Sequence, residues 1–137
     1  MKNLIFALAL VIAGALASCT TKTTQTTNAC SSIIGQWKII EAMNQSTFNA
    51  EEEPYIIFND SCTISGNTSV NEFFGNYYTN ADSITFDQVG ATLRIAEDMN
   101  TEYAIMSALS ASSTFSIQDS IMCIEDYFGT TVMKLKR

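Results

Sequence analysis

Apolar residues fall along this chain in two patterns. Near the start they are consecutive: residues 4–13 contain only Leu, Ile, Phe, Ala and Val, preceded by Lys2 and followed by small residues up to Ser18. Such a run is too short to span a bilayer and matches the charged and apolar regions of an export signal. From residue 33 onward the apolar segments are short and separated by Gly, Asn and Asp. Residues 83–87 (Ser-Ile-Thr-Phe-Asp) and 114–118 (Thr-Phe-Ser-Ile-Gln) alternate cleanly, which predicts strands with one face in a core and one in water. Residues 37–42 and 55–58 read as further strands, the latter opened by Pro54, the only proline, at a position where a missing N–H is tolerated. Residues 121–124 and 131–135 complete a C-terminal meander.

One segment has helical spacing. Met99, Tyr103, Met106 and Leu109 recur at intervals of four and three, so residues 99–110 are expected to form a helix with these four on its buried stripe. Asp98 or Asn100 serves as N-cap, and Glu102 lies in the first turn, where a carboxylate suits the helix dipole. The expected fold class is α+β: a strongly curved antiparallel sheet of about seven to nine short strands, partly barrel-like, packed on a single α-helix that covers one face or one open end.

Between the apolar start and the first strand, residues 20–32 are Thr-rich and nearly free of large apolar side chains. They cannot bury enough surface to offset the entropy of ordering and read as a flexible tether. Leu16-Ala17-Ser18-Cys19 resembles the lipobox of bacterial lipoproteins at all four positions. That resemblance implies cleavage before Cys19 and attachment of acyl chains to its thiol and amino group, an anchor that two or three chains make stable. The expected organisation is therefore a leader over 1–18, a lipidated Cys19 with its tether over 19–32, and a folded domain over 33–137. The residue after Cys19 is Thr20 rather than the Asp that retains many lipoproteins in an inner membrane, which favours an outer-membrane lipoprotein facing the periplasm.

The formal charge is −7, and loss of Lys2 with the leader makes the mature chain one unit more acidic. The basic residues are scattered apart from Lys134, Lys136 and Arg137, so no nucleic-acid partner is expected. Removing Cys19 for lipid leaves Cys30, Cys62 and Cys123, an odd number with no CxxC spacing, whose disulfide state stays open. The chain has no His, which removes Ser-His-Asp and Cys-His catalysis and the commonest metal ligand. Glu51, Glu52 and Glu53 lack the ligand spacing of a calcium loop and read as a solvated turn. Glu97 and Asp98 could be a glycosidase pair but suit a helix start better. Asp82-Ser83-Ile84 and Asp119-Ser120-Ile121 match a short O-glycosylation acceptor motif and also read as tight turns. The sequence calls for no catalytic residue, metal or cofactor.

Residues 64–78, from Ile64-Ser65-Gly66-Asn67 through Asn71-Glu72-Phe73-Phe74-Gly75-Asn76-Tyr77-Tyr78, resemble the central signature of META domains. Thr92-Leu93-Arg94-Ile95-Ala96 and Met99-Asn100-Thr101-Glu102 resemble the second signature, and Gly35-Gln36-Trp37-Lys38-Ile39 resembles the opening strand. The motif residues Gly66, Asn71, Phe73, Phe74, Gly75, Tyr77, Thr92 and Glu102 are expected to be structural. Gly66 would supply a backbone conformation that side chains resist, Asn71 a local hydrogen bond, and Gly75 room for the helix or a neighbouring strand. Phe73 and Tyr77 should share one face, with Phe74, Asn76 and Tyr78 on the other. Many family members carry a Cys before the Asn and another closing the second signature; Val70 and Ala96 stand there, so the resemblance implies that this bridge is missing.

The resemblance to an envelope-stress-linked family implies a non-enzymatic protein that touches the membrane through its lipid and binds a protein or envelope component. The alternative is a lipocalin-like carrier whose sheet encloses an apolar pocket lined by Phe74, Tyr78 and Phe86. A hydrolase would need convergent carboxylates in a cleft.

Overall fold

The computed structural model describes residues 30–137; the leader, most of the tether and the Cys19 lipidation position lie outside the described residues. A helical turn α1 (Cys30–Ile33) leads into β1 (Gly35–Ala42), β2 (Gln45–Ser46), β3 (Tyr55–Phe58), β4 (Thr63–Asn67), β5 (Glu72–Asn80) and β6 (Ser83–Ala91). The helix α2 (Asn100–Ala111) follows, then β7 (Thr114–Gln118), β8 (Ile121–Glu125) and β9 (Thr131–Lys136). Each ladder is antiparallel. One edge of β1 pairs with β3 along its first half and with β2 at its end, while the other edge pairs with β9. That last pairing turns the sheet back on itself, so the expected curved α+β sheet is a ring that leaves few free edges.

Turn chemistry fixes the hairpins. Met43 and Asn44 both have positive φ (48° and 62°), the geometry of the two-residue turn that matches strand twist. Ala81 and Asp119 take φ of 55° in the β5–β6 and β7–β8 turns. Between β8 and β9 the Asp126 carboxylate accepts the N–H groups of Phe128 and Thr130, both at 2.9 Å, and Gly129 takes φ 80°. A bulge between Ile39 and Glu41 resets the alternation of β1. Trp37, Ile39 and Ala42 consequently face inward, and Glu41 lies outside against Lys134 at 2.9 Å.

The weakest seam is between β6 and β7, where the register holds a single pair, Ser83 opposite Thr114. The intervening chain supplies α2, which packs against β1, β6 and β9 and covers the barrel mouth. Its buried face is Glu102, Ala104, Ile105, Ala108 and Leu109. The expected stripe is thus corrected. Leu109 is in the core and Met106 packs beside it, but Tyr103 is 64% exposed and Met99 precedes the helix. The small Ala104 and Ala108 share the buried face with Ile105 and Leu109. The expected cap is also corrected: Met99, not Asp98 or Asn100, is the N-cap and makes no side-chain cap bond, while the Asp98 carboxylate, just outside the helix, accepts the Asn100 N–H at 2.8 Å.

Side chains from all round the ring fill the interior, among them Trp37, Phe58, Phe73, Tyr77, Ile84, Met122 and Leu135. The Phe58 and Tyr77 rings meet edge to face at 5.1 Å, and the Tyr77 hydroxyl donates to the Asn59 carbonyl at 2.8 Å. The two ends of the domain are tied at the barrel floor. The Trp37 indole N–H donates to the Ile33 carbonyl at 2.8 Å, while the Arg137 guanidinium lies 4.2 Å from the Trp37 ring and donates to the Ile34 carbonyl at 2.9 Å.

Candidate functional site

Where α2 enters the barrel mouth, three chain segments meet in a buried polar junction. The turn of residues 68–71 precedes β5, residues 92–94 follow β6, and Glu102 comes from the first turn of α2. Thr68, Asn71 and Glu102 are all buried. The Asn71 amide NH₂ donates to the Arg94 carbonyl and to Glu102 Oε2, both at 2.8 Å. Its carbonyl oxygen accepts the Arg94 N–H and the Thr92 hydroxyl, both at 2.7 Å. These four bonds use the full capacity of a primary amide. Thr68 Oγ1 lies 2.8 Å from Glu102 Oε2 and accepts the Asn71 N–H at 3.0 Å. Among the described residues no buried side-chain polar atom is left without a partner. The Asn71 amide, the Thr68 hydroxyl and Glu102 Oε2 are bonded to one another and to the backbone, and together they clamp the helix to the strands.

The sequence placed Asn71 in one motif and Thr92 and Glu102 in another, and the fold brings them together. It missed Thr68, whose hydroxyl spans the turn; the Thr-x-x-Asn spacing ahead of a strand was the available signal.

The other motif residues frame this junction. Gly66 lies inside β4 and does not have a positive φ, so the expected unusual backbone conformation is corrected. Its requirement is space: a Cβ there would come within 2.2 Å of the Tyr55 carbonyl oxygen and 2.6 Å of the Phe73 ring. The turn carries its positive φ at Ser69 instead (89°). Gly75 faces β6 at the bulge, where a Cβ would lie 3.0 Å from Val89 Cγ2. Phe73 and Tyr77 point into the core. Phe74 (58% exposed) and Tyr78 (57%) lie on the outer wall, and Phe74 rests over Gly90. The pocket expected from Phe74, Tyr78 and Phe86 is therefore not formed. Two of its walls face solvent, and Phe86 leans on the core ring of Phe58 at 6.2 Å.

The acidic candidates are at the surface. The Glu53 carboxylate pairs with Lys38, and Glu51 lines an open groove of about 280 Å³ with Asn49, Ser69, Glu97, Asp98 and Thr101. No cluster of metal-ligating side chains occurs among the described residues. Ser83 and Ser120 of the two Asp-Ser-Ile triplets are both exposed beside tight turns. Cys62 is exposed and Cys123 half-buried, while Val70 is buried.

A family model for the META domain matches residues 31–137. The chain belongs to the META domain family. The META assignment covers every strand and the helix, including the whole polar junction. Solved structures share the fold. A protein from Burkholderia xenovorans determined by NMR superposes with a TM-score of 0.62 at 17% identity, covering 80% of this chain and 86% of its own. A second NMR structure gives 0.61 at 13% identity over 76% and 89%. A DUF4847 family protein from Bacteroides vulgatus gives 0.57 at 8% identity over 76% and 92%. At these identities the likeness concerns the META fold alone. No curated protein matches the chain in sequence.

Proposed function

We propose that this protein is a lipoprotein of the cell envelope, held through Cys19 at the periplasmic face of an outer membrane, whose META domain is a non-enzymatic binding module for a protein or envelope component. The observation that carries this reading is the closure of the domain: the barrel interior is filled and the buried polar junction is spent on its own hydrogen bonds. Function then falls to the surface and its loops, the parts of a rigid barrel that commonly carry recognition. The Leu16-Ala17-Ser18-Cys19 sequence supports the anchor.

Metabolic labelling with a fatty-acid analogue, followed by fractionation, tests the reading. The wild-type chain should take the label and sediment with membranes, and Cys19→Ala should lose both. An unlabelled wild-type chain in the soluble fraction would remove the anchor from the account. Crosslinking in intact cells then tests binding: a partner captured by the wild type and lost with Cys19→Ala makes the anchor part of recognition.

A further inference from the structure

The two ends of the barrel differ in chemistry. Strand directions put residues 59–62, 81–82 and 119–120 at one end, together with α1 and Arg137. These turns read Asn-Asp-Ser-Cys, Ala-Asp and Asp-Ser; the large exposed apolar residues beside them are Ile34 (38%) and Ile117 (37%), with Tyr78 (57%) on the adjoining wall. The opposite end holds α2 and the connections 43–44, 68–71, 92–99 and 126–130. It exposes Leu93 (96%), Ile95 (88%), Tyr103 (64%), Tyr127 (85%) and Phe128 (88%). Tyr127 and Phe128 are presented by a turn that Asp126 braces, their rings meeting edge to face at 5.7 Å. Leu93 and Ile95 flank Arg94, whose backbone N–H and carbonyl are pinned by Asn71. The buried junction thus fixes a segment whose side chains project outward, and rigid apolar anchors of this kind dominate protein interfaces.

Charge narrows the occupant. Glu51, Glu52, Glu97 and Asp98 are exposed at the same end and Asp126 is half-buried there, whereas among the described residues Arg94 is the one basic side chain on these connections. An acidic rim repels a second copy of itself and an anionic lipid surface, and it steers a cationic partner. The described residues start at the other end, so a tether to Cys19 would join the domain opposite this surface.

We propose that the helix-covered end of the barrel, built around Leu93, Ile95, Tyr103, Tyr127 and Phe128, is a docking surface for a protein segment that combines apolar side chains with Lys and Arg. The proposal rests on the binding-module reading above and adds the surface and the partner chemistry. Its test uses the full-length chain carrying Cys19→Ala, so that the anchor plays no part, and two labelled amphipathic helical peptides, one of Leu and Lys and one of Leu and Glu. The Leu/Lys peptide should bind saturably, more weakly as salt rises, and the Leu/Glu peptide should not. Leu93→Ser with Ile95→Ser should weaken binding by about tenfold, and so should Tyr127→Ser with Phe128→Ser, since each pair removes two exposed anchors. Glu51→Lys with Glu97→Lys should weaken it independently, and Phe74→Ser with Tyr78→Ser on the barrel wall should leave it unchanged. Equal binding of the two peptides, no binding of either, or indifference to the loop variants would overturn the proposal. So would flotation on phosphatidylglycerol vesicles that the same loop variants abolish, which would make the surface a membrane contact. Fatty-acid labelling of the wild type reports separately on the anchor, so either idea can fail alone.

Discussion

Asn71 and Glu102 are thirty-one residues apart in the chain and meet at 2.8 Å beneath the helix, amide to carboxyl. Asn71→Ala would leave the buried Glu102 short of a donor, and the Thr92 hydroxyl and Arg94 backbone short of partners at the part-buried edge of the junction. The expected destabilisation is about 2–3 kcal/mol, more than a neutral surface hydrogen bond contributes, because a buried carboxyl loses a partner. Asn71→Asp should be at least as harmful, since it places a second carboxyl against Glu102 and deletes the amide donor. Urea midpoints of the variants check this; a shift as small as that of an exposed Asn would remove the clamp from the argument.

Gly66→Ala tests a different requirement. With a carbonyl oxygen 2.2 Å from the new Cβ, the β3–β4 ladder must move, and a loss of about 3 kcal/mol is expected. Gly75→Ala meets its nearest neighbour at 3.0 Å, a side-chain methyl beside a bulge, and should cost about 1 kcal/mol. Thermal melts of the two variants should rank them in that order.

The contrast between these positions also shows what could be read ahead of the structure. The two-residue period put Phe73 and Tyr77 inside and Phe74 and Tyr78 outside, because burial of one sheet face leaves a local imprint on sequence. The run 55–58 matched β3 for the same reason. Gly66 was noticed for the wrong cause, since close approach by Tyr55, eleven residues earlier, depends on register with another strand. The helix face was misjudged because Met and Tyr were taken as the core-seeking residues. The buried face instead carries Ala104 and Ala108 beside Ile105 and Leu109, and alanines leave too weak a hydrophobic signal for spacing to find. The junction was legible only as two separate motifs, Asn71 in one and Thr92 and Glu102 in the other, with no local pattern joining them.

The corrected helix face gives a sharp comparison. Ile105 is fully buried against the sheet, so Ile105→Ala should cost about 2–5 kcal/mol through lost apolar contact and a cavity. Tyr103→Ala, on the outer side of the same helix, should change stability by about 0.5 kcal/mol or less. Chemical denaturation of both variants decides between the two faces; the reverse order would restore the Met99, Tyr103, Met106 stripe.

On the barrel wall, Lys134 faces Glu41 across the β1–β9 ladder at 2.9 Å. The hydrogen bond that Lys134 donates to Glu41 holds its ammonium above the ordinary value of 10.5, the negative charge of Glu41 adds to this, and partial desolvation opposes it. A group whose pKa is raised by folding contributes stability that is fully present below 10.5 and is lost as pH rises through the folded value. Nitrogen NMR titration of Lys134 should give a midpoint above 10.5, and Glu41→Gln, which removes the charge and weakens the acceptor, should bring it back toward that value. The alkaline limb of the stability curve should flatten in the same variant. Because both side chains are partly exposed, added salt should reduce the difference between wild type and Glu41→Gln, as screening of a surface pair requires. A Lys134 midpoint that does not respond to Glu41→Gln would show that the ladder, and not the pair, sets its protonation.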